Sequence, residues 1–192
     1  ELVFGFIACL KAGLIPVCTL AAHRESEIGY LGKHAAARMH FVQGDDAKFD
    51  DIAFAERMQG SIPSMQWTVQ ARGAQRGKAL HLRELVDAMP LDDARKLLAK
   101  VQLDPFQVAV FQLSGGTTGV PKIIPRFHNE YIYNVRAVAD FCGYTPEDCL
   151  FMPLPMMHNL NMGCCFGPFL LGGGTVAVAT SLSPEALGDI FK

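Results

Sequence analysis

Residues 113–126, Leu-Ser-Gly-Gly-Thr-Thr-Gly-Val-Pro-Lys-Ile-Ile-Pro-Arg, concentrate the side chains best suited to holding a phosphate. Gly115, Gly116 and Gly119 lack a Cβ, so the backbone there can take positive φ and turn several N–H donors onto one anion. Ser114, Thr117 and Thr118 add hydroxyl donors to the same concave surface, and Lys122 adds a flexible point charge suited to phosphate. Pro121 withholds a competing donor and stiffens the exit. The apolar run Val108-Ala109-Val110-Phe111 just before the loop reads as a buried strand, so a strand feeds the phosphate-holding turn.

Three familiar motifs are excluded by spacing. No Gly-Lys-Ser/Thr follows the glycines, as the P-loop of common nucleotide hydrolases requires. Neither a Gly-x-Gly-x-x-Gly dinucleotide turn nor a Gly-x-Ser-x-Gly nucleophile elbow is present. Composition alone also allows a Gly/Thr-rich turn with no ligand duty. A second constellation, Met156-Met157-His158-Asn159, follows an expected strand and a Pro-x-Pro, where α/β sheets place ligand-binding residues. Taken alone, His158 and Asn159 read first as a helix cap and its neighbour.

The order of residues is more specific than their composition. Ser-Gly-Gly-Thr-Thr-Gly-Val-Pro-Lys resembles the signature loop of the adenylate-forming superfamily, which includes acyl-CoA synthetases, luciferases and peptide-synthetase adenylation domains. The continuation Lys122-Ile-Ile-Pro-Arg126-Phe-His128, then Tyr131-Ile-Tyr133-Asn134, resembles the aryl-acid branch, the salicylate and 2,3-dihydroxybenzoate AMP ligases of siderophore pathways. The resemblance implies that Ser114, Gly115, Gly116, Thr117, Thr118, Gly119 and Lys122 hold the phosphates of ATP, with Mg²⁺ as its companion ion. It also implies the fold: α/β, with layered, mostly parallel sheets flanked by helices, part of the large N-terminal domain of an adenylate-forming enzyme. Leu10 to Val17 is similar to a superfamily helix-to-strand corner whose role is structural.

Family resemblance also gives the second constellation a role. The position matching Asn159 is typically an aspartate in amino-acid-activating relatives, where it pairs with the substrate ammonium. Asparagine keeps the hydrogen bonding without the charge, which suits a hydroxyl beside the carboxylate and points to an ortho-hydroxy aryl acid. His158 precedes it as in the aryl branch, between carboxylate and phosphates. Cys164 stands five residues past Asn159, where salicylate enzymes resemble one another in carrying cysteine and 2,3-dihydroxybenzoate enzymes serine. A thiol partners a second ring hydroxyl poorly but packs well on an aryl edge, which favours salicylate. The sequence departs from the branch at Leu160-Asn161-Met162-Gly163 and at Phe127, leaving a heteroaryl acid such as 3-hydroxypicolinate open.

Composition sets the surroundings of this chemistry. With 192 residues, half of them apolar, there is ample material for a core. A net charge near −2 offers no field for nucleic acid or an anionic membrane. Lys11 and Pro16 interrupt the apolar stretch 1–22, so it reads as core rather than a signal peptide or membrane span. The six cysteines form no Cys-x-x-Cys pair and read as reduced, buried thiols of a cytoplasmic protein, and no metal site is expected. His23, His34, His40 and His81 are scattered without a common spacing and read as surface or core histidines. Starting at Glu1 and stopping at Lys192 inside a helix-like stretch, the sequence reads as an excerpt; complete members of the family it resembles are more than twice as long.

The elements that must position these residues follow from periodicity. Residues 2–12 suit a buried helix ended by Gly13, with a strand at 14–20. A helix at 24–39, a strand at 40–43, a helix at 51–58 and a strand at 65–71 alternate as in a parallel α/β sheet. The polar stretch 72–100 carries helices and no strand signal. After the loop come strands at 123–125 and 149–152 around a helix at 129–142, a helix at 160–171, a strand at 175–179 and a last helix opened by Ser183-Pro-Glu. The expected division is a first α/β portion at 1–71, a connector with helices at 72–106 and a second α/β portion at 107–192.

The reaction implied is ATP-dependent adenylation of an aryl acid, followed by transfer to the phosphopantetheine thiol of an aryl carrier protein, or to CoA, in nonribosomal peptide biosynthesis. Lys122 and His158 are the catalytic candidates, and His158, Asn159 and Cys164 the acid-binding ones. Two other classes compete: a CoA ligase for another aryl or alkyl acid, and a nucleotide-binding module without catalysis. The adenine-binding motifs and the catalytic lysine of the family are expected outside these residues. Assayed alone, residues 1–192 should give no measurable ATP–pyrophosphate exchange.

Overall fold

The computed structural model describes residues 1–114, 119–178 and 183–189, and the chain divides into two compact units. The first comprises residues 1–16, 21–103 and 115–123; the second comprises 17–20, 104–114 and 124–192.

In the first unit, strands β1 (Met39–Val42), β2 (Trp67–Gln70) and β3 (Leu80–His81) form a parallel sheet in that order. Helix α3 (Asp51–Ser61) links β1 to β2, the crossover that parallel neighbours require. Asp50 caps it, its carboxylate accepting the Ala53 N–H at 3.1 Å. Helix α2 (Glu25–His34) starts where the Glu27 carboxylate accepts the Arg24 N–H at 3.0 Å. Ile28 of α2 packs with Phe54 and Met58 of α3 and with Ile62 and Met65; Val42, Ile52, Ala55 and Ala79 make a second apolar cluster. Helix α1 (Leu2–Lys11) buries only Phe6, and the chain turns after it through Gly13 at φ +70°.

The parallel α/β class is as the sequence implies, and three local expectations need correction. The helix expected at 24–39 ends at His34, with Ala36 at φ +47° and β1 already begun at Met39. Residues 14–20 do not form a strand: Pro16 has no N–H to give, and the segment makes one parallel bridge, Val17 to Phe111, with the Cys18 N–H on the Phe111 carbonyl at 3.0 Å. The polar stretch 72–100 does contain a strand, β3, paired for two residues and so too short to show a period. Helices α4 (Leu82–Asp87) and α5 (Leu91–Leu98) follow with no buried residues, laced by the pairs Arg83–Asp87, Arg95–Asp92 and Lys96–Asp93.

The second unit holds two short sheets. Strand β4 (Val108–Leu113) pairs with β5 (Ile123–Phe127), and β6 (Cys149–Phe151) runs parallel to β7 (Thr175–Ala177). Helix α6 (His128–Cys142) ends at Gly143 in the left-handed region, φ +66°. Its start is fixed by Glu130, whose carboxylate accepts the Phe127 N–H at 3.3 Å and the Arg126 Nε–H at 2.9 Å. Arg126 also lies 4.8 Å from the Tyr131 ring centroid. Helix α9 (Pro184–Asp189) closes the described chain.

His40 on β1 meets the Phe54 ring edge-on at 5.9 Å, and its Nδ1 is buried without a partner among the described residues. Burial disfavours the imidazolium and pulls its pKa down to about 4. A depressed folded-state pKa gives stability that is complete above the unfolded value near 6.5 and is lost as pH falls through 4. Unfolding of the whole protein followed from pH 7 to 4 should therefore reveal a loss on the order of 3 kcal/mol that His40→Leu removes.

Candidate functional site

The phosphate-loop candidates hang from the end of β4. Ala109, Val110 and Gln112 are buried, and Ser114 follows half-buried. Gly115, Gly116, Thr117 and Thr118 lie outside the described residues. Gly119, at φ +150°, takes a backbone conformation that suits glycine, and Lys122 is exposed immediately before β5.

The acid-pocket candidates leave the end of β6. Pro153 and Pro155 lead to a single helical turn α7 (Asn159–Asn161), then a π-helical turn (Met162–Phe166), then α8 (Gly167–Gly172). His158, Asn159 and Cys164 thus open one continuous helical run. His158 is the cap as well as a site candidate: its Nδ1 accepts the Leu160 N–H at 3.2 Å. That bond commits Nδ1 as acceptor and leaves Nε2 as the ring's donor. Asn159 is half-buried, and its Oδ1 is a buried acceptor with no partner among the described residues. An amide oxygen withdrawn from water in this way loses about 1–3 kcal/mol unless something donates to it.

Several residues that the sequence did not single out as site candidates hold this run in place. Buried Asn161 donates its Nδ2 to the Leu154 carbonyl at 3.0 Å, tying α7 to the Pro-x-Pro exit. Asn134 of α6 donates to the Gly163 carbonyl at 3.3 Å, and the Tyr144 hydroxyl to the Cys164 carbonyl at 3.5 Å. Tyr144 also packs on Phe169, with ring centroids 4.9 Å apart. On β4, fully buried Gln112 donates its Nε2 to the Tyr131 hydroxyl at 3.2 Å. Burial pushes the Tyr131 phenol up to about 12, against the opposing pull of that Gln112 bond, so it is a neutral donor at physiological pH. The three-residue step from Tyr131 to Asn134 on α6 was the available signal.

All six cysteines are free. Only Cys18 and Cys165 are buried; Cys142 and Cys149 are exposed, which corrects the expectation of uniformly buried thiols. Among the described residues no group of three or more His, Cys, Asp or Glu could hold a metal ion, and no helix is long and apolar enough to cross a membrane.

Candidate ligand loops at the carboxyl ends of strands in a parallel α/β fold are the organisation of nucleotide-handling enzymes. The chain belongs to the AMP-binding enzyme family, whose profile matches residues 1–192. It is 37% identical over 191 residues to a Streptomyces salicylyl-CoA synthase / salicylate adenylyltransferase, covering 96% of this chain and 34% of that protein. It is 35% identical over 189 residues to the vibriobactin-specific 2,3-dihydroxybenzoate-AMP ligase of Vibrio cholerae, covering 96% and 33%. The solved apo structure of Mycobacterium smegmatis MbtA superposes with a TM-score of 0.83 at 29% identity, covering 98% of this chain and 34% of that one. The chain thus spans about a third of the length of these relatives.

Gly167 controls the approach of α6 to the helical run. A Cβ there would overlap the Met162 carbonyl oxygen and lie 2.8 Å from Val135 Cγ2. Gly167→Ala in the whole protein should cost about 1–3 kcal/mol by overpacking, read as a lowered denaturant midpoint.

Proposed function

We propose that the whole protein activates an ortho-hydroxy aryl acid as its adenylate, salicylate ahead of 2,3-dihydroxybenzoate. The observation that carries this reading is the buried Oδ1 of Asn159, which has no donor among the described residues. A hydroxyl ortho to the substrate carboxylate supplies that donor, whereas an ammonium would call for an aspartate. Half-buried Cys164 offers the ring an apolar edge rather than a partner for a second hydroxyl.

The carboxylate is a poor electrophile, so it attacks the α-phosphorus of ATP. A carboxylate-oxygen to phosphorus bond forms, the bond to pyrophosphate breaks, and the acyl group is left on AMP, a good leaving group. Ser114, Gly115, Gly116, Thr117, Thr118, Gly119 and Lys122 cradle the phosphates, chiefly by positioning and charge neutralisation. His158 donates from Nε2 to oxygen where carboxylate and phosphate meet. Mg²⁺ carried on the ATP phosphates would offset their charge. The acyl group then passes to the phosphopantetheine thiol of a carrier protein. CoA is the second reading for the acceptor, favoured by the salicylyl-CoA synthase name of one relative. A cytoplasmic setting suits the six free cysteines.

We further propose that residues 1–192 are inactive without the rest of the whole protein. Phe4, Phe106, Tyr133 and Phe141, each 73–92% exposed, supply apolar surface for that remainder to cover.

The test is ATP–pyrophosphate exchange by the whole protein and two variants. Lys122→Ala should slow exchange roughly 10²–10³-fold, with the melting temperature unchanged. Asn159→Asp should lower kcat/KM for salicylate about ten- to hundred-fold by replacing a neutral acceptor with a charge beside the substrate carboxylate. Full activity in Lys122→Ala would remove Lys122 from the mechanism.

A further inference from the structure

Asn159 and Cys164 are five residues apart, an awkward spacing for one wall of a pocket. In an α-helix, five steps leave two side chains about 140° apart around the axis. The run containing them is not α-helical throughout: Met162–Phe166 is a π-helical turn, closed by the Gly167 N–H on the Met162 carbonyl. Each residue of a turn closed from i to i+5 rotates the chain less than an α-helical residue does, which narrows the angle between Asn159 and Cys164. Single π-turns within helices occur frequently at functional sites.

The turn is held from outside. Its Gly163 carbonyl takes the Asn134 amide at 3.3 Å, and its Cys164 carbonyl takes the Tyr144 hydroxyl at the longer 3.5 Å. The absence of a side chain at Gly163 permits the closer contact: a Cβ there would stand 3.3 Å from Asn134 Nδ2 and 3.9 Å from Tyr131 Cε2. Asn134 is half-buried on α6, whose packing against the run is already fixed by Gly167.

We infer that Asn134 is a positioning residue for acid recognition: its amide, by holding the Gly163 carbonyl, keeps the π-turn that narrows the angle between Asn159 and Cys164. This rests on the acid-pocket reading proposed above. Asn134 touches no reacting atom and should leave phosphate handling alone.

The experiment uses the whole protein, with Asn134→Leu and the near-isosteric Asn134→Asp, neither of which can donate to the Gly163 carbonyl at neutral pH. ATP–pyrophosphate exchange is measured with salicylate, 2,3-dihydroxybenzoate and benzoate, each variant with and without Cys164→Ser. The ratio of kcat/KM for salicylate to that for 2,3-dihydroxybenzoate should fall roughly five-fold or more, with KM for ATP unchanged. Cys164→Ser should shift that ratio less in the Asn134 variants than in the parent, the mark of coupled positions. A folded variant with unaltered ratios would overturn the inference and leave the pocket reading standing. No exchange by the parent with any of the three acids would overturn both. If Asn134→Leu does not fold, Asn134→Asp decides.

Discussion

The close approach of α6 to the run 159–172 is the constraint on which the placement of the acid-pocket candidates depends. Gly167 permits it, because any side chain there would strike the Met162 carbonyl and Val135. With that distance set, Asn134 reaches the Gly163 carbonyl, and Tyr144 reaches both the Cys164 carbonyl and the Phe169 ring. Interiors are packed too densely for such a contact to relax by small amounts, so the π-turn and the residues it presents are coupled to one glycine.

The two constellations divide the chemistry. In the proposed function the loop after β4 recognises charge without regard to the rest of the ligand, through backbone N–H groups, hydroxyls and Lys122. The segment after β6 carries a helix-capping histidine whose Nδ1 accepts a backbone N–H and an asparagine oxygen that no described residue serves. A polar group left unpaired discriminates more strongly than an apolar pocket does, because the wrong ligand leaves it unsatisfied. In the proposed pocket Asn159 therefore contributes more to the choice of acid than the thiol of Cys164.

Much of this was legible in the sequence, for physical reasons. The family was readable because Ser-Gly-Gly-Thr-Thr-Gly-Val-Pro-Lys in fixed order is far more specific than its composition. The parallel sheet of the first unit was readable from alternating helix and strand periods, and β1 and β2 fall within a residue or two of their expected positions. The strand expected at 14–20 failed because hydrophobicity does not reveal that only one residue pair finds a partner. The π-turn was invisible: Met162-Gly-Cys-Cys-Phe166 has no period that separates it from an α-helix, and the neighbours the run meets, Asn134 and Val135, lie on another helix. Gln112 escaped notice because a glutamine in a strand reads as a solvent-facing position until Tyr131 is seen beside it.

Everything in the proposed chemistry turns on the acid attacking the α-phosphorus of ATP and being retained as an aryl-adenylate. The most direct measurement incubates the whole protein with ATP, Mg²⁺ and salicylate, without any acceptor thiol, and identifies the nucleotide released on denaturation by mass spectrometry. Bound salicyl-AMP together with free pyrophosphate is the predicted result. Release of ADP and phosphate, or of unaltered ATP from folded and nucleotide-bound protein, would contradict it.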